Sequence, residues 1–154
     1  MTDAPARVAH SQAMHLLPAV DLVDDTWIGV APRAVADRIH DRSAWPLWWP
    51  GLQLRQYQDR GLQGVRWHIV GGSVSALTAG WRRLLPGMRR SLVGSMEIWL
   101  EPIRAGVVVH CYARIDPADG APMASAQADR IRRALAVRSK KIFWEMKDDL
   151  EAAR

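Results

Sequence analysis

Cysteine occurs once, at Cys111. That excludes an intrachain disulfide and any metal site built from several thiolates. Long apolar runs are absent as well, since no stretch approaches the ~20 residues of a membrane-spanning helix. The segment from Met1 to His15 lacks the basic-then-apolar order of a secretory signal, so the expected location is cytoplasmic. The motifs that announce common chemistries are also missing. There is no phosphate-cradling glycine loop, no nucleophile elbow, no paired metal-ligand spacing and no dinucleotide glycine pattern. The five histidines are scattered. No cofactor and no metal are therefore expected. Acidic residues are the minority charge, 16 against 21 Lys and Arg, for a net charge of +5. The excess is concentrated at Arg82, Arg83, Arg89 and Arg90 and at Arg130, Arg132, Arg133, Arg138, Lys140 and Lys141. Such clusters are read first as solvated faces, and no nucleic-acid partner is expected.

What the sequence does contain is one dominant helix. From Ala124 to Ala153, small or apolar residues fall at Ala124, Ala128, Ile131, Leu135, Ser139, Ile142, Met146 and Leu150. This alternating three-and-four spacing lays a stripe along one helix face. Burying each large apolar member is worth roughly 1.5–3 kcal/mol, against about 0–1 kcal/mol for an exposed ion pair on the other face. The stripe therefore sets how the helix docks. Ser139 interrupts it with a small polar side chain, which either admits a close strand or borders a ligand cavity.

The 154 residues are enough for a single core. Residues 1–15 are polar, Ala-rich and aperiodic, and are expected to be a disordered tail. A single domain is expected over 16–154, with 71–91 as a variable insertion. Alternation predicts a strand from Leu16 to Val30, with Thr26, Ile28 and Val30 on one side. Pro18 and the Asp24–Asp25 pair mark it as an edge or bulged strand. Pro32 suits a helix start, and Val35 with Ile39 gives that helix one buried ridge to about Asp41. Next comes Ser43-Ala44-Trp45-Pro46-Leu47-Trp48-Trp49-Pro50, where the prolines oppose a regular helix. The three indoles each carry a large apolar area and one N–H. They plug the end of the core or line the mouth of a pocket.

Two hairpins follow. In the first, Leu52–Asp59 and Val65–Val70 flank two glycines, and setting Asp59 opposite Gly64 puts Leu52, Leu54, Gln56 and Gln58 on the face of Val65, Trp67 and Ile69. The segment from Gly71 to Ser91 reads as a surface loop over the sheet. Its alternative is an interfacial segment that touches anionic membrane through Trp81 and Arg82. In the second hairpin, a turn at Ala105-Gly106 pairs Glu97 with Arg114, Trp99 with Tyr112 and Glu101 with His110 on one face. Ile98 with Ala113 and Leu100 with Cys111 then occupy the other. The face turned to the long helix is thus Val65, Trp67, Ile69, Met96, Ile98, Leu100, Val109, Cys111 and Ala113, nearly free of titratable groups. His68, His110, Glu97 and Glu101 fall on the outer face, which has no walls to exclude water from acid–base chemistry. The expected ligand-binding residues are Trp45, Trp48, Trp49, Gln56, Trp67, Ile69, Met96, Ile98, Leu100, Cys111, Leu135, Ser139 and Ile142. They describe an apolar cavity with few polar contacts. No catalytic residue is assigned.

The order of strand, short helices, antiparallel strands and long C-terminal helix resembles the START-like or SRPBCC superfamily. Ala44-Trp45-Pro46-Leu47-Trp48-Trp49-Pro50-Gly51 is similar to the Trp-Trp-Pro turn of that group. The runs Tyr57-Gln58-Asp59-Arg60-Gly61, Gly64-Val65-Arg66-Trp67 and Gly94-Ser95-Met96-Glu97-Ile98-Trp99-Leu100-Glu101-Pro102 resemble actinobacterial polyketide cyclase/dehydrase and lipid transport family proteins. The resemblance implies an α+β helix-grip fold: a curved antiparallel sheet wrapped around the C-terminal helix, with two short helices after the first strand. It implies binding or transport of a small hydrophobic ligand, lipid, quinone or polyketide-like, between sheet and helix. The alternative it carries is a polyketide cyclase or aromatase-type enzyme. The chain departs from the family in showing five clear strands where six or seven are usual, and in the length of 71–91.

Overall fold

A computed structural model describes residues 18–73 and 91–154. The elements in chain order are β1 (Val20–Ile28), α1 (Pro32–Ile39), α2 (Trp45–Trp48), β2 (Leu52–Asp59), a 3-10 turn (Gly61–Gln63), β3 (Gly64–Gly72), β4 (Leu92–Ile103), β5 (Gly106–Pro117) and α3 (Ser125–Ala152). The strands form one antiparallel sheet in the order β1-β5-β4-β3-β2. β1 is thus an edge strand, as its acidic pair and Pro18 just ahead of it suggest.

Strand pairing aligns the inner face into rows that run across the sheet. One row is Val20, Ile115, Gly94, Ile69 and Leu54; the next is Leu22, Ala113, Met96, Trp67 and Gln56; the next is Asp24, Cys111, Ile98 and Val65. Beyond it lie Thr26, Val109 and Leu100. Nearly all these side chains are buried, and α3 adds Ile131, Leu135, Ser139, Ile142, Phe143 and Met146 to the same core. Phe143 extends the stripe read from the sequence by one position, next to Ile142, while Leu150 is only partly buried.

Three sequence expectations are corrected. The turn of the last hairpin is Arg104-Ala105, with Ile103 paired to Gly106, so Glu97 faces Tyr112, Trp99 faces His110, Ile98 faces Cys111 and Leu100 faces Val109. The register moves by two residues, which leaves every side chain on its expected face. Gly106 is needed elsewhere: a Cβ there would lie 2.6 Å from the Ile28 carbonyl oxygen and 2.6 Å from the Trp27 indole nitrogen. In the first hairpin a bulge between Gln56 and Gln58 sets Asp59 opposite Val65 and turns Gln58 outward, where its Oε1 accepts from Arg66. Finally, the Trp-rich segment does form one helical turn, because Pro46 occupies its first turn, where an amide N–H is not required.

The expected tail and the expected membrane contact through Trp81 and Arg82 fall outside the described residues. At the borders of the second gap, Ser73 bridges Ser91. Among the described residues no helix is long and apolar enough to cross a membrane.

Candidate functional site

The indoles of Trp45, Trp49 and Trp67 converge where α2 meets the inner face of β3. Trp45 packs edge-on against Trp67 with centroids 5.0 Å apart, Trp49 lies 5.9 Å from Trp67, and Trp48 stands 5.7 Å from Trp49. Sequence and geometry agree on the cause. Pro46 and Pro50 bend the chain so that one turn of helix presents Trp45 and Trp49 inward, while strand alternation points Trp67 at them. Trp49 and Trp67 are fully buried and Trp45 nearly so, whereas Trp48 is half-buried. The Trp45 N–H donates to the Ile39 carbonyl at 2.8 Å. The N–H groups of Trp49 and Trp67 are buried and have no partner among the described residues.

A concavity of about 320 Å3 adjoins this cluster, lined by Arg42, Trp45, Pro46, Leu52, Gln53 and Leu54. Leu54 shares the inner face with Gln56, the cross-strand partner of Trp67. Arg42 lies 5.8 Å from the Trp45 ring and donates to Gln56 Oε1 at 3.3 Å. Arg138 on α3 donates to the Trp48 carbonyl at 3.2 Å and ties α2 to the long helix. The concavity is therefore largely apolar, with Gln53 and the Arg42 cation as its polar lining. Leu47, on the same turn, is 77% exposed.

The remaining candidates sit deeper. Ile69, Met96, Ile98, Leu100, Cys111, Leu135, Ser139 and Ile142 are all buried. Ser139 Oγ lies 3.8 Å from Cys111 Sγ. Burial pushes the Cys111 thiol up to about 12; the Ser139 hydroxyl works against that rise and the Asp24 charge adds to it. Cys111 is thus a thiol, not a nucleophilic thiolate, near neutral pH.

Asp24 was not expected on this face. It points inward opposite Cys111, with Oδ1 3.1 Å from Lys140 Nζ and Oδ2 buried and unpartnered among the described residues. Lys140 also donates to the Asp25 carbonyl and, at 3.4 Å, to Thr26 Oγ1. The inner face therefore holds one carboxylate and one ammonium at its β1 edge.

The outer face carries the other charged groups. His110 Nε2 lies 2.8 Å from Glu101 and its Nδ1 is hydrogen-bonded to Asp25, while its ring stacks 4.6 Å from Trp99. Burial disfavours the charged ring, but the hydrogen bonds to Glu101 and Asp25 and their charges outweigh it and raise its pKa. Glu97 pairs with Arg60 at 2.7 Å and Arg66 at 3.0 Å. A groove of about 390 Å3 on this side is bordered by Asp21, Tyr57, Glu97, Tyr112 and Arg114. Among the described residues no group of His, Cys, Asp and Glu is arranged to hold a metal ion.

An antiparallel sheet gripped along one face by a long C-terminal helix, with two short helices after the first strand, settles the architecture. The chain has a helix-grip fold. No family model matches it, and no curated protein does. Among solved structures, the chain is similar to Ara h 8.0201, 13% identical over 86% of this chain and 97% of that one, with a TM-score of 0.49. Another is the di-domain ARO/CYC StfQ from the steffimycin biosynthetic pathway, 15% identical over 88% of this chain, TM-score 0.46; the match spans about half (52%) of its length. A START superfamily protein from Mycobacterium smegmatis is 10% identical over 79% of this chain and 98% of that one, TM-score 0.36.

Proposed function

We propose that this protein binds or carries a small hydrophobic molecule of lipid, quinone or polyketide-like character in the cytoplasm. The ligand seats first at Trp45, Leu52 and Leu54, and to lie between the sheet and α3 near Ser139 it must displace side chains that are packed there in its absence. The carrying observation is the concavity of about 320 Å3 that abuts the buried tryptophan cluster. Its size is at the small end of ligand pockets, and its lining has their usual character, mostly apolar with a few fixed polar groups. The exposed Leu47 beside it adds apolar surface on the approach. The experiment is titration with a dansyl-labelled fatty acid, read by energy transfer from tryptophan. Saturable uptake is expected, lost in Leu54→Arg and kept in Val137→Arg, whose site on the outer side of α3 is 63% exposed. No saturable uptake of the probe by the unaltered protein overturns the reading.

Asp24 gives a second reading its one observation. A cyclase or aromatase-type enzyme needs a titratable group turned toward its ligand, and the Asp24 carboxylate, with one oxygen on Lys140 and the other buried and unpartnered among the described residues, is such a group. Asp24→Asn separates the two: a binding protein keeps its uptake of the dansyl probe, whereas an enzyme using Asp24 loses turnover of a poly-β-ketone substrate by about 100-fold or more.

A further inference from the structure

Ser95 is the small member of a row on the outer face of the sheet. Strand pairing sets it between Arg114 on β5 and His68 on β3, with Asp21 beyond Arg114 on β1. A short side chain among long ones leaves a depression, and here lies the groove of about 390 Å3 bordered by Asp21, Tyr57, Ser95, Glu97, Tyr112 and Arg114. Tyr57 reaches it from the far edge strand because the bulge in β2 re-aims its side chain, and its ring stacks on His68 with centroids 4.2 Å apart. The polar groups around the groove are only partly engaged. The hydroxyls of Tyr57, Ser95 and Tyr112 make no hydrogen bond among the described residues. Asp21 and Arg114 approach only to 3.7 Å, an ion pair beyond hydrogen-bond distance. Glu97 meets Arg60 at 2.7 Å and Arg66 at 3.0 Å, both on its Oε1. Burial first, then the charges of Asp25, Glu97 and Glu101, raise the Tyr112 pKa, so its hydroxyl keeps its proton and both donates and accepts.

We propose that this groove is a second binding site, for a sugar: a neutral pyranose whose hydroxyl rim meets Asp21, Glu97 and Arg114 while a flat C–H face lies on Tyr57 or Tyr112. It sits on the opposite face of the sheet from the concavity beside the tryptophan cluster, so the two sites stand or fall separately. The carboxylates of Asp21 and Glu97 face the guanidinium groups of Arg114, Arg60 and Arg66, and this near balance favours a neutral ligand over a free anion or cation. A lipid chain would strip water from these charges and give them nothing in return. A pyranose with equatorial hydroxyls has the matching division, apolar on its two flat faces and polar around its edge. Aromatic rings take the faces. Ionised acceptors and donors take the edge, in hydrogen bonds about twice as strong as neutral ones. Each hydroxyl replaces a water, so an open groove suffices.

The test titrates the full chain with methyl β-cellobioside, whose ring substituents are all equatorial, and with sorbitol, which carries hydroxyls but no ring face. Backbone amides are followed in proton–nitrogen correlation spectra. The cellobioside is expected to give saturable shifts at Ser95, Glu97 and Tyr112, at concentrations about tenfold below any response to sorbitol. Tyr57→Ala and Asp21→Asn, both at half-exposed positions, should each weaken it about three- to tenfold. Their otherwise unchanged spectra would show that both variants fold. Val137→Arg should leave the affinity within about twofold, and the dansyl fatty acid should not displace the cellobioside. No saturable shift, an equal response to sorbitol, or full affinity in both groove variants overturns the sugar site. Shifts centred on Trp45 and Leu54 would put the sugar in the other concavity and overturn it as well.

Discussion

Cys111 and Asp24 face each other across β1 and β5 and show how much a single residue's role depends on its row in the sheet. Cys111 is fully buried, and that burial pushes its thiol up to about 12. It is therefore expected to resist Ellman's reagent at pH 8 in the native protein and to react at once in urea, measured by the absorbance of released thionitrobenzoate. Rapid native reaction would mean that the inner face opens to solvent on the timescale of the assay. Asp24 was legible in principle. The alternation that puts Thr26 and Ile28 inside also puts Asp24 inside, although a pair of adjacent acids is equally the mark of an edge strand. Ser139 was legible as a break in the stripe. Its neighbour across the interface was not, because spacing within a helix says nothing about which strand residue it meets. The buried indole N–H groups could not be read at all, since whether a donor is satisfied depends on backbone carbonyls brought in from other elements.

At the scale of elements, alternation identified the faces of β4 and β5 correctly but not their register. A shift of two residues preserves every face, so burial alone does not distinguish the two alignments. The turn does. Sequence chemistry favours Gly106 at the bend, yet Ala105 takes the left-handed conformation with φ of 68°, and Gly106 is packed beneath the end of β1. Ala105→Gly is expected to stabilise the protein by about 1 kcal/mol, relieving the steric cost of a Cβ at that φ. Gly106→Ala should destabilise it by about 1–3 kcal/mol through overpacking against Ile28 and Trp27. Urea unfolding of both variants decides the matter; the opposite pair of signs would restore the turn at Ala105-Gly106. The bulge at Tyr57 has the same lesson. The pairing of β2 with β3 shifts once between Gln53 and Leu54 and again at Tyr57, and nothing local announces the extra residue that rotates Gln58 outward.

For the whole molecule, two clusters far apart in the chain tie α3 and the hairpins to β1, and they titrate in opposite senses. Glu151, near the end of α3, accepts from Lys147 at 2.6 Å and from the Gly29 amide at 2.8 Å. The Lys147 hydrogen bond first, then the amide, lowers its pKa below the ordinary 4.5. A depressed carboxylate contributes stability that is present above its unfolded value and lost as pH falls through the folded one. His110 behaves in reverse. Its two neighbours, Asp25 and Glu101, are acceptors, so the ring satisfies both only when protonated. Its pKa is raised from 6.5, so its contribution is complete below that value and lost as pH rises through the higher folded one. Both contributions are intact together only between about pH 4.5 and 6.5. The chain's strong positive charge, with an isoelectric point near 10.1, acts on every variant alike and drops out of the comparison. Urea midpoints measured from pH 3 to 9 should therefore show Glu151→Gln flattening the acid limb and His110→Gln flattening the alkaline limb. The His110 effect is expected at about 1 kcal/mol or less, because its carboxylate partners are half exposed. An unchanged alkaline limb in His110→Gln would show that the ring is neutral in the folded protein and that the outer-face cluster adds no pH dependence.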